Sequence, residues 1–245
     1  MMRSLPFREE CGLLVGAMLA PITGVVSKSR EARMFHPDGL VYAAKVEPWA
    51  KAPDLLSLAQ RLGSSALVRL SSALWRAPHE WPDVLGAALR FGEGPERQEL
   101  LLATIRFPWT MPFAPLATNY RSFLWNHYHA VSPFEVDGVG LVKFRLRSPR
   151  LGNGKSLPRA EHLQQAVTEG RAVYELELRR LSEPPLSRHW EPIARLTLSN
   201  PCDLDQQRLR FSPFRDGAGI RPIGFVQALR VAAYAASQQA RPDHE

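Results

Sequence analysis

Cysteine is nearly absent from this chain. Two in 245 residues, Cys11 and Cys202, cannot build a disulfide framework or a metal-ligand spacing. That usage points to a reducing compartment, and a cytoplasmic location is expected. Long apolar runs are also lacking. The nearest approach, CGLLVGAMLAPITGVV at 11–26, is short for a membrane span and is interrupted by Gly and Pro. The RSLPFREE segment ahead of it carries two acids, which suits a signal peptide poorly. The run reads as a buried helix or wrapping arm, with a signal or membrane-facing segment as the minority alternative. No internal repeat or low-complexity tract is present. PRLGNGKSLP has Gly and Lys-Ser but not the spacing of a phosphate-binding loop, nor a clear strand–helix frame around it.

What is there is basic and ordinarily apolar. The chain has 31 Lys+Arg against 24 Asp+Glu, a net charge of +7, and 45% hydrophobic residues, enough to bury a real core. One stretch, LVKFRLRSPRLGNGKSLPRA at 141–160, holds six cations and no acid. Such patches bind nucleic acid or anionic membranes, but more often they are one solvated strand face and a loop. Arginines on a buried face can instead meet the carboxylates of a cofactor.

Seven segments read as strands: 39–47, 66–72, 85–91, 99–107, 139–147, 172–181 and 192–199. The alternation is cleanest in two of them, 139–147 and 172–181. Val142, Phe144 and Leu146 oppose Lys143, Arg145 and Arg147, and Tyr174, Leu176 and Leu178 oppose Glu175, Glu177 and Arg179. Period-two patterning of this length predicts half-buried antiparallel strands, and seven or eight of them suit a barrel or sandwich. Helices are predicted at 53–63, bounded by Pro and Gly, and at 119–130, 160–170 and 224–242. The expected fold is α+β: an antiparallel barrel with flanking helices and an Ala-rich C-terminal helix. The organisation predicted is one domain over 1–245, with an arm at 1–28, a barrel with inserted helices at 29–200 and a final segment at 201–245.

Two patterns carry chemistry. RMFHPDG, 33–39, places an arginine three residues before a histidine at a strand entrance. In the last predicted helix Arg230 and Tyr234 are four apart, hence on one face. An arginine there favours the phenolate, and a phenolate is a competent axial ligand for ferric haem. His127 and His129, read as i and i+2 of a helix, do not converge on a metal. His79, His162, His189 and His244 have no partner at ligand spacing.

Taken in order, three stretches resemble the haem catalase family. RMFHPDG resembles its distal Arg-x-x-His-x-x-Gly motif, and LVRLSSA at 67–73 resembles its following Val-Arg-Phe-Ser-Thr strand. FSPFRDGAGIRPIGFVQALRVAAY at 211–234 resembles its proximal segment, which closes on Leu-x-x-Arg-x-x-x-Tyr. The resemblance is to the short catalase-related branch, small haem peroxidases and fatty-acid hydroperoxide enzymes. It implies a catalase-like barrel holding one haem b. His36 would be the distal base, and Ser71 would fix its tautomer. Arg33 and Arg69 would meet the propionates. Tyr234 would be the iron ligand, its charge held by Arg230. It also implies a peroxide or organic hydroperoxide as substrate, no nucleic-acid partner, and room for a homo-oligomer. Membrane association is the less favoured reading. One departure stands out: Ala103 occupies the place of the family's distal Asn, which argues for weak true catalase activity. The alternatives are a degenerate barrel that binds haem without catalysis, and a haem-free basic protein that binds nucleic acid or anions.

Overall fold

Alternating side chains settle most of the wall. In β7 (Gly140–Arg147), Val142, Phe144 and Leu146 are buried while Lys143, Arg145 and Arg147 face out. The same alternation shapes β1 (Gly39–Pro48), β8 (Val173–Arg180) and β9 (Glu191–Pro201). β2 (Ser65–Ser72) and β3 (Leu85–Phe91) are covered on both faces over most of their length. The computed structural model describes residues 39–75, 80–152, 157–181, 189–204, 209–212 and 215–223.

Every strand pairing is antiparallel. β4 (Gln98–Ala103) and β5 (His127–His129) follow β3, and β7-β5-β4-β3-β2-β1-β9-β8 returns to β7, so eight strands close a barrel. Two short strands lie beside it. β6 (Phe134–Val136) pairs with the Gly140–Val142 end of β7, while β5 takes the Arg145–Arg147 end. β10 (Ile220–Pro222) extends β6.

The interior is packed. Leu70, Leu89, Phe91, Leu100, Phe144 and Leu176 are among the side chains that fill it, as expected of an eight-stranded barrel. Two buried tyrosines are satisfied at one point: Tyr128 and Tyr174 both donate to the carbonyl of Phe123, at 2.9 and 3.2 Å. Burial pushes both phenols above their ordinary range. A cofactor-sized group therefore has no room inside, and any site for one lies on the outer wall.

Helix α1 (Pro53–Arg61) starts on Pro, carries Asp54 in its first turn and Arg61 in its last, and passes into Gly63 at φ +78°. Its Leu55, Leu58 and Ala59 join the main core. A helical turn, α2 (Ala114–Ala117), follows a 3₁₀ stretch at Pro108–Phe113. Helix α3 (Arg159–Thr168) buries Leu163, Ala166 and Val167.

The predicted helix at 119–130 is not formed. Asn126 donates to the carbonyls of Asn119 and Ser122, Asn119 N–H donates back to Asn126 Oδ1, and Leu124 N–H donates to Ser122 Oγ. These side-chain bonds replace the helical ladder, and the chain turns directly into β5. The strand expected over 99–107 stops at Ala103. The segments 1–38 and 224–245, with the arm, His36 and the final helix, lie outside the described residues.

Candidate functional site

The outer face of β1–β4 is built in rows by the strand register. Val41, Arg69, Ala88 and Leu101 stand opposite one another, and the next row is Gly39, Ser71, Gly86 and Ala103. Because side chains two apart share a face, both rows look outward together. The second row carries nothing larger than a serine side chain, so it forms a shallow, flat-floored trough.

Each side of the trough is covered differently. On one side Leu209 and Phe211 pack on Val41, with Leu67, Ala88 and Leu101 around them. Arg90 fastens that cover. Its guanidinium lies 4.6 Å from the Phe211 ring centroid, donates to the Arg210 carbonyl and pairs with the buried Glu99, which also accepts from Ser212 N–H. On the other side Ala73, Val84 and Ile105 continue the face and are covered by Ala114.

Arg69 and Ser71 are both buried and neither is without a partner. Arg69 lies against Gly39: a Cβ there would come within 2.7 Å of its Cζ and Nε and 2.9 Å of its Nη2. Only glycine leaves that space. The contact joins the end of RMFHPDG to the middle of LVRLSSA. The Val41–Phe211 contact brings the start of the FSPFRDGAG segment to the same strand. The described residues of three stretches widely spaced in sequence thus meet on one face, while Arg33, His36, Arg230 and Tyr234 belong to the parts outside the described residues.

Past Ala103 the row runs to His129, its partner across β4 and β5. His129 and His127 share a face of β5, 6.3 Å apart between ring centroids, and line a cleft of about 360 Å³ with Thr104, Arg106 and Trp125. Burial lowers His127 to about 4, helped by Arg145, Arg150 and Arg147. Burial lowers His129 to about 3, helped by the neighbouring His127 and by Arg145, Arg106 and Lys143. Both imidazoles are therefore neutral at physiological pH. Arg150 donates to His127 Nε2 at 3.0 Å, which leaves the proton on Nδ1. Sequence reasoning missed this pair as a same-face feature because it placed them on a helix. Among the described residues no three His, Cys, Asp or Glu converge on a metal.

Ala103 carries no polar side chain, and its neighbour does not supply one. Thr104 Oγ1 is engaged by Leu85 N–H at 3.0 Å and by the Thr118 hydroxyl at 2.7 Å.

The barrel is similar to one of known structure, a bacterial catalase, at a TM-score of 0.61 over 85% of this chain. The chain has a catalase-like barrel. Identity to that catalase is 13%, so the likeness is one of fold. The match takes in 57% of the catalase, so this chain spans little more than half its length. No family model matches the sequence, and no curated protein matches it closely.

The group that the catalase resemblance implies is planar and carries carboxylates. The trough fits such a group in two respects: its floor is small side chains, and a buried guanidinium stands at its edge to meet a carboxylate.

Proposed function

We propose that the chain is a haem b protein that reacts with peroxides, with an organic hydroperoxide as its better substrate. The observation that supports this reading is that the described residues of the three catalase-like stretches come together on the β1–β4 face, Gly39 against Arg69 and Phe211 in one buried cluster with Val41.

The residue roles follow the resemblance. Arg69 and Arg33 bind the propionates, where a guanidinium can make two charge-assisted bonds to one carboxylate. Tyr234 is the iron ligand, and Arg230 keeps its oxygen ionised. When bound, the haem supplies the iron chemistry of O–O cleavage. His36 takes the proton from the hydroperoxide and returns it to the departing oxygen. Ser71 holds the imidazole of His36 in the tautomer that leaves one nitrogen open to receive that proton. Ala103 offers no hydrogen bond to a small peroxide, which favours a substrate held by its own apolar body. The same absence supports a second reading, a barrel that keeps haem but has lost the reaction.

Haem titration of the full chain tests the proposal. The expected product has a high-spin ferric spectrum that Tyr234→Phe shifts or abolishes. His36→Ala should keep the haem, while its reaction with peroxide in stopped flow slows by about 10²–10⁴-fold. A protein that takes up no haem ends the reading. Haem uptake with no peroxide reaction in the unmodified chain selects the second.

A further inference from the structure

Among the described residues, exposed apolar side chains concentrate at one end of the barrel. β2 and β4 end there and β3 and β5 begin there, so the described parts of two loops, 73–75 with 80–84 and 104–126, lie side by side. They are tied together by the Ala73, Val84, Ile105 and Ala114 cluster and by the bonds that Leu85 N–H and the Thr118 hydroxyl donate to Thr104 Oγ1.

Seven of the twelve large hydrophobic side chains found exposed among the described residues belong to these two loops. Leu116 is 82% exposed, Phe113 67% and Met111 52%, all on the 3₁₀ stretch and α2. The facing loop presents Trp81 at 56%, stacked edge-on with Trp75 at 5.0 Å, and Leu74; Trp125 stands just ahead of β5. A cluster this size needs a partner of its own chemistry.

The surrounding charge says which partner. Of the eight Lys and Arg in residues 100–160, Arg145 and Arg147 pair with Glu177 and Glu175 of β8 and Arg159 is buried; the stretch itself has two acids, Glu135 and Asp137. Both of those acids are paired with Arg221. The two acids of the 73–84 loop are engaged as well: Asp83 is buried and accepts from the N–H groups of Leu74, Trp75 and Val84, and Glu80 accepts from Arg159 N–H. Beside the loop, Lys143 and Arg106 flank Phe107 at 5.4 and 5.3 Å from its ring, and Arg121 lies next to Tyr120. Tryptophans, long apolar side chains and a cationic rim, with no acid left unpaired in either loop, are the combination that sits at a lipid headgroup boundary.

We infer that this end of the barrel docks on an anionic bilayer surface. Phe113, Leu116 and Met111 enter the headgroup region, the three tryptophans lie at its level, and Arg106, Arg121 and Lys143 contact lipid phosphates. The binding is peripheral and does not depend on haem.

Vesicle flotation of the full chain tests it, with phosphatidylcholine alone or mixed with phosphatidylserine. Binding is expected to the mixed vesicles, with a blue shift of tryptophan emission, and it should weaken as salt is raised. The double variant Phe113→Glu/Leu116→Glu should bind at least about 10-fold more weakly, and Arg106→Glu should also lose affinity. Leu204→Glu, an exposed residue after β9, should bind like the unmodified chain; circular dichroism of every variant checks folding. The inference is overturned by equal binding with and without phosphatidylserine, or by no binding to either. It is also overturned by full binding of the double variant, or by self-association in solution that the double variant abolishes, which would make the occupant a second copy.

Discussion

Gly217 rests against the carbonyl of Glu96: a Cβ at 217 would lie 1.6 Å from that oxygen and 2.1 Å from its carbon. Backbone meets backbone here, so neither side can move a rotamer aside. Around this point Gln98 donates to the carbonyls of Arg215 and Ile220 and accepts from Ala218 N–H.

Gly217→Ala should therefore lower stability by about 1–3 kcal/mol, the usual cost of forcing extra volume into a filled space, or more. Denaturant unfolding measures it. Loosening should be local to 209–220, read as faster amide exchange there than in β1. A variant as stable as the parent would show that the segment shifts freely.

Gly39→Ala acts on a side chain and should be milder in one way and sharper in another. The guanidinium of Arg69 must leave a buried position, and stability should fall by about 1–3 kcal/mol. If Arg69 binds a propionate, haem affinity should drop with it. Arg69→Ala should reproduce the loss of haem. Unchanged haem affinity in both variants would remove Arg69 from the cofactor site.

Acid should weaken the fold through β5. His127 and His129 take protons near 6.5 when unfolded but only near 4 and 3 when folded. Below 6.5 the unfolded chain thus binds more protons than the folded one, and stability falls as pH drops from about 6.5 to about 3. Above 6.5 the pair contributes no slope. Urea midpoints across that window should decline more steeply for the parent than for His127→Gln/His129→Gln. Parallel curves would mean the two rings titrate as exposed ones do.

The wall was legible where one face is apolar and one polar. Val142, Phe144 and Leu146 or Tyr174, Leu176 and Leu178 could be placed from alternation alone, because burial on a single face writes period two into the sequence. The misread stretch was 119–130, where Asn119, Ser122 and Asn126 spend their side chains on the backbone, a local competition that apolar patterning does not register. β6 and β10 are three residues each, too short to show any period. On the site, Arg69 and Ser71 were visible through a motif. The trough was not: Gly39, Gly86 and Ala103 become neighbours only once the strand register is known. His129 stayed hidden behind the helix that does not form.

The order in which the strands are made has a consequence for biosynthesis. β1 pairs with β2 at once, but its other edge is met only by β9, and the free edge of β7 only by β8. The β8–β9 hairpin, Val173–Pro201, thus closes both seams. Until it leaves the ribosome, the growing chain is an open sheet with two unpaired strand edges, each able to template a neighbouring chain. Closure late in synthesis, between strands about 150 residues apart, makes folding slow. A nascent chain stalled short of residue 173 would be far more prone to aggregate than one that has passed 201.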